Sequence, residues 1–214
     1  TCQMRRGSEV TAIRLRGHKV TNGVWDRLCE LPVLMDIHFG PRNRVTDEGL
    51  SHLAGLRNIR QLSLTETGIT DAGLAHVAAF PDLRILDLRD SKITLRGLKG
   101  LAGLPRLRAL CVASDNISDD LLIALGEAKL LHALVKDVSF GRLTKTDAPI
   151  FPDDGVHLDL SNTKITNRGF QELSRLGNVQ SLNLGGTQIT DAGLTHLAKI
   201  GTLRSLNLAA TPIT

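Results

Sequence analysis

Tyrosine does not occur in this chain, and one tryptophan and five phenylalanines supply all of its large aromatic rings. Apolar residues nonetheless make up 42% of the 214 residues, so the core must be aliphatic. The same scarcity removes the stacking platforms on which single-stranded nucleic acids are bound. Cysteine is sparse as well. Cys2, Cys29 and Cys111 form no C-x-x-C pair and no disulfide framework, which leans toward a reducing, cytoplasmic compartment. No run of five like charges exists, which excludes a basic nucleic-acid tail. No stretch approaches the roughly 18 apolar residues of a membrane span, and no signal-peptide pattern opens the chain, which begins at Thr1. Charge is present but uneven. Residues 1–108 hold 17 Lys and Arg against 11 Asp and Glu, and the rest hold 9 against 11. Because these charges alternate in sign along the chain, they read as a solvated surface.

Catalytic signatures are missing too. There is no H-E-x-x-H, G-x-S-x-G, P-loop or G-x-G-x-x-G. His157 and Asp159 flank Leu158 on one face of a strand, but no nucleophile accompanies them. His52, His76 and His196 share a phase. Residues in equivalent positions on neighbouring helices stand about 10 Å apart, too far to share an ion held at about 2 Å. The expectation is therefore no catalysis, no metal and no cofactor.

What the chain does have is repetition. "ITDAGL" occurs at residues 69–74 and again at residues 189–194. Val20-Thr21, Val45-Thr46, Ile69-Thr70, Ile93-Thr94, Ile117-Ser118, Ile165-Thr166, Ile189-Thr190 and Ile213-Thr214 follow at intervals of 25, 24, 24, 24, 48, 24 and 24. A fixed period of this size means a solenoid. Within each unit an L-x-L alternation, as at Leu86 and Leu88, predicts a short half-buried strand. Thr70 fits a helix N-cap and Asp71 the positive end of the helix dipole. Leu74, Val77 and Phe80 then mark one helical face, which Pro81 closes.

The pattern L-x-x-L-x-L-x-x-T-x-I-T-D-x-G-L resembles the leucine-rich repeat family, in its form with tandem 24-residue bacterial-type units, over nearly the whole chain. The resemblance implies an α/β solenoid with parallel strands on a concave side and short helices on a convex side. Such an array must curve, because strands stack about 4.8 Å apart and helices about 8–10 Å. One domain over residues 1–214 is expected, with about nine units, and the chain is expected to be a piece of a longer one. Thr163 and Thr187 stand where the family often has Asn; they should be buried and bonded to neighbouring turns. The recurring Gly49, Gly73, Gly97, Gly169 and Gly193 suggest close approach of backbones.

In that family the outward residues of the concave strands are the usual contact surface, which implies a protein-interaction scaffold. The candidates are Arg14, Arg16, His38, Asp87, Arg89, Asp159, Asn183 and Asn207. A second candidate region is the irregular unit near 134–157. There Lys136 falls at a core position and Pro149 and Pro152 oppose a helix; Arg142 and Lys145 in segment 137–155 are its candidate contacts. Lys136 must bring its charged head out of the core. Self-association through Leu206, Leu208 and Ile213 of the last coil is a further expectation, since a bare terminal coil exposes apolar surface. The partner is a protein, not nucleic acid. Alternatives are the recognition part of a larger enzyme or signalling protein, or a cell-surface or host-directed binding protein.

Overall fold

The computed structural model of the chain describes residues 10–15, 22–31, 33–40, 43, 45–136 and 155–214. The L-x-L segments form strands β1 (Ala12–Leu15), β2 (Asp36–Phe39), β3 (Gln61–Ser63), β4 (Ile85–Asp87), β5 (Ala109–Cys111), β6 (Leu134–Val135), β7 (Val156–Asp159), β8 (Val179–Asn183) and β9 (Ser205–Asn207). Each pairs in parallel with its sequence neighbour in a sheet of six (β1–β6) and a sheet of three (β7–β9). The repeat period sets the register: Leu62 stands opposite Leu86, Leu86 opposite Leu110, and Leu182 opposite Leu206. Seven helices are described: α1 (Asn22–Cys29), α2 (Asp47–His52), α3 (Asp71–Val77), α4 (Leu95–Lys99), α5 (Asp119–Glu127), α6 (Asn167–Leu173) and α7 (Asp191–Leu194). This is the expected α/β solenoid. Its core is an aliphatic ladder, with Leu62, Leu86, Leu110 and Leu182 from the strands and Leu74, Val77 and Leu122 from the helices all buried. The few aromatics sit at special places. Trp25 packs on Phe39 at the N-terminal end, with ring centroids 5.4 Å apart, and Trp25 also covers Gly49.

Neighbouring units are tied by a side-chain clamp. Thr70 donates its N–H to Asp47 Oδ1 (2.9 Å) and its hydroxyl to Asp47 Oδ2 (2.6 Å), while its own Oγ1 accepts from Ala72 N–H and caps α3. Thr94 holds Asp71 in the same way, and Thr214 holds Asp191. The first-turn acid thus does more than meet its helix dipole: it pins the next helix. This also revises the reading of the glycines. A Cβ at Gly73, Gly97 or Gly169 would overlap the carboxylate of Asp47, Asp71 or Asp119, and one at Gly193 would overlap the Asn167 carboxamide. It is a side chain that approaches there, not a second backbone. The hydroxyl ladder is corrected too. Thr163 and Thr187 are buried, but each donates to the carbonyl three residues back in its own turn, Leu160 O (2.7 Å) and Leu184 O (2.6 Å). A hydroxyl is too short to reach the neighbouring unit. Asn43, with its longer side chain, reaches Leu15 O across units as well as Gly40 O.

On the helical side the clamp recurs across a longer interval of sequence. Thr166 donates its N–H and hydroxyl to Asp119 at 2.8 and 2.6 Å, although the two residues are 47 apart rather than 23. Arg168 pairs with Asp120 at 2.9 Å, and Ser118 bridges to Lys164. α6 therefore packs directly on α5. On the strand side β6 still intervenes between β5 and β7. Lys136 behaves as its charge requires. Its ammonium leaves the core and donates to Ser161 O and Oγ, both at 3.1 Å, with the Asp159 carboxylate 3.9 Å away. The expected loss of a helix between residues 141 and 154 lies outside the described residues.

Candidate protein-binding surface

Alternation along each strand sends the residue between the two core positions to the concave side. The column so formed runs Arg14, His38, Ser63, Asp87, Cys111, Val135, Asp159, Asn183 and Asn207. It is not uniformly open. Arg14, Asp159 and Asn207 are exposed, and His38 and Asn183 are half-buried. Ser63 and Cys111 are fully buried, and Asp87 is only 1% exposed. The reason at Asp87 is local. Arg89 folds its guanidinium across it, with Nε to Oδ1 at 3.0 Å and Nη2 to Oδ2 at 2.6 Å, and adds its own N–H to Oδ1. Asp87 and Arg89 are therefore a paired unit, with the arginine as the outer member. Arg16, Arg142 and Lys145 lie outside the described residues.

The column members on the second sheet, Asp159, Asn183 and Asn207, share one pose, which the buried Asp87 also adopts. Ser161 N–H donates to Asp159 Oδ1 (3.0 Å), Gly185 N–H to Asn183 Oδ1 (3.1 Å) and Ala209 N–H to Asn207 Oδ1 (2.9 Å). Each side chain is thereby fixed by the backbone two residues ahead of it. The second atom, a carboxylate oxygen on Asp159 and an amide Nδ2 on the asparagines, faces out of that turn. Beside them Ser161, Gly185 and Ala209 are small. Electrostatics adds one charged point. Burial alone would raise the Asp159 carboxyl, but the Ser161 hydroxyl and N–H and the Lys136 ammonium outweigh it and hold its pKa below the ordinary range. At the other end Asp36 is pushed above its ordinary value by burial, with Arg60 and Arg14 offsetting part of the shift.

Sequence reasoning had no way to pick out Ser161 and Lys136 as partners of Asp159, because they come from the turn and from the irregular strand. His52 ends α2, His76 lies in α3, and His196 lies in the turn after α7, with α4, α5 and α6 between α3 and α7. No cluster of three or more His, Cys, Asp or Glu suited to a metal occurs among the described residues. No described helix is long and apolar enough to cross a membrane. Of the last coil, Leu206 is exposed and Leu208 and Ile213 are partly buried.

Comparison with known proteins agrees with this architecture. The family model described as leucine rich repeat matches residues 81–102 and 178–198. No curated protein matches. Among solved structures, internalin C2 of Listeria monocytogenes strain 4b F2365 is similar, with a TM-score of 0.55 at 23% identity, over 93% of this chain and 71% of that one. An internalin, inlF, of the same strain gives a TM-score of 0.41 at 18% identity, over 96% of this chain and 82% of that one. The matched units, the 24-residue period and the parallel ladder of L-x-L strands together identify the fold of this chain as a leucine-rich-repeat solenoid.

Proposed function

We propose that the chain is a non-catalytic scaffold that binds a protein partner through its concave strand surface. The observation that carries this reading is the row of fixed polar side chains on β7–β9. Asp159, Asn183 and Asn207 are already held in one pose by backbone N–H groups. A partner meeting them freezes few rotamers, a saving of about 0.5–1.5 kcal/mol per side chain otherwise lost on binding. The parallel sheet beneath needs no backbone movement to receive a rigid partner. Arg14 and His38 extend the surface across the first sheet, and Arg89 contributes its guanidinium as the outer member of the pair with Asp87.

Photo-crosslinking tests the reading. A photoreactive amino acid is placed at 159, 183 or 207 on the concave side, and at 127 or 199 on the helical side as controls. Extract from the source cell should yield one discrete crosslinked protein from the concave positions alone. Equal crosslinking from the helical positions, or none from the concave ones, would remove the concave surface from consideration.

A further inference from the structure

The clamp that joins successive helices is made at Asp47–Thr70, Asp71–Thr94, Asp119–Thr166, Asn167–Thr190 and Asp191–Thr214. Between α4 and α5 it has no counterpart, because Leu95 stands where the acid should be and Ser118 where its threonine partner should be. We propose that this junction, the flank between Leu95 and Ser118, is a built-in seam at which the array opens before any other described junction.

Four observations meet there. First, the glycine that makes room for the carboxylate is replaced along with the acid: the position matching Gly73, Gly97, Gly169 and Gly193 is Leu121. Both halves of the clamp have changed together, so the loss is built in rather than a single missing side chain. Second, this flank lacks a backbone tie that two other junctions make. Lys92 N–H reaches Ile69 O and Gln188 N–H reaches Ile165 O, but Asn116 N–H turns back to Ala113 O at 2.9 Å within its own turn. Third, the flank aliphatic residue is uncovered. Val45, Ile69, Ile117, Ile165 and Ile189 are all 0% exposed, whereas Ile93 is only partly buried. Fourth, a cleft of about 360 Å³ lies between the two units, lined by Ile93, Leu95 and Leu98 from one and Val112, Ser118 and Leu121 from the other. Leu95 is 38% exposed at its edge and does not fill it. The exposed Lys99–Glu127 ion pair is the polar tie between α4 and α5 themselves.

The strand side of the same junction is intact. Arg108 N–H bonds Arg84 O at 2.8 Å and Leu88 N–H bonds Cys111 O at 2.9 Å. Opening is therefore a pivot about the β4–β5 pairing, with the flank as the moving edge. Such a pivot turns Asp87 on β4, and Arg89 in the turn after it, relative to the strands that follow, and so adjusts the concave surface without breaking its sheet.

Residue-resolved hydrogen exchange on the intact chain tests the seam. The Ser118 amide should exchange about tenfold or more faster than the clamped amides of Thr70, Thr94 and Thr166, as expected for a site of low local stability. Equal protection at all four would overturn the proposal. Asp71→Leu supplies the converse: it should raise exchange at Thr94 to the level of Ser118 while Thr70 and Thr166 keep theirs. If Thr94 stays protected without its carboxylate, the clamp does not close the flank and the proposal fails. If the variant does not fold, the wild-type comparison decides alone.

Discussion

At the scale of the residue, the chain contains its own comparison of acid with amide in the clamp. Asp47, Asp71 and Asp119 accept two donated hydrogen bonds from a threonine, leaving the threonine Oγ to cap its own helix. Asn167 accepts only the Thr190 N–H, at 3.0 Å, and donates its Nδ2 to Thr190 Oγ1 at 2.7 Å. The hydroxyl oxygen thus accepts from the carboxamide instead of donating to a carboxylate, and Thr190 makes no side-chain cap on α7. Asn167→Asp should restore both bonds. It should raise unfolding stability by about 1 kcal/mol, the usual worth of one cap or one charge-assisted bond, measured by urea denaturation. Acid titration probes the opposite change. Burial tends to raise the Asp71 carboxyl, but bonds from the Thr94 hydroxyl and N–H and from Gly97 N–H, with Arg96 nearby, hold it below its ordinary value. A depressed folded-state pKa means that the contribution is present above the unfolded value, about 3.9. It is lost as pH falls through the folded one. Asp71→Asn should therefore be less stable than the parent at neutral pH, and the gap should close in acid. A gap that persists unchanged at pH 2 would assign the loss to something other than the carboxylate charge.

At the scale of the element, each helix is short and gains its place from what precedes it. α3 is seven residues and α7 four, far below the length at which an isolated helix is stable in water. Their stability comes from burying Leu74 and Val77 and from the clamp. The glycines mark the clamp's contact. Gly73→Ala should cost about 1–3 kcal/mol, the usual range for forcing an atom into filled space. The cost should shrink when Asp47→Ala removes the carboxylate that the new methyl meets. Additive losses in that double variant would break the link between the glycine and the acid. Much of this was legible in the sequence. The period placed every described strand, and I-T-D at Ile69–Asp71 and Ile189–Asp191 placed the helix starts. The clamp itself was latent in the 23-residue spacing of Asp47 to Thr70, but spacing does not say that two side chains meet. Two things were not legible. Counting residues gives the irregular unit a full place, whereas packing follows whichever acid is presented, so Thr166 found Asp119. Alternation told which side Ser63, Asp87 and Cys111 face, but not that this side is closed around them.

At the scale of the whole molecule, two structural steps share one array. Strands β5, β6 and β7 follow one another on the concave side, while α6 meets α5 directly on the other. α6 therefore stacks on α5 at the step where β6 lies between β5 and β7 in the strand layer. The open row Asp159, Asn183 and Asn207 lies just beyond it, on the three-stranded sheet, and the flank seam at Leu95 lies before it. The contact of α5 with α6 thus carries the continuity of the molecule, and the Asp119–Thr166 clamp is its most specific element. A double-mutant cycle with Asp119→Ala and Thr166→Val, followed by urea unfolding, measures it directly. We expect a coupling energy of about 1–2 kcal/mol between residues 47 apart in sequence, comparable to that of Asp47 with Thr70 in a parallel cycle; a coupling near zero for Asp119 and Thr166 alone would refute the direct packing of α6 on α5.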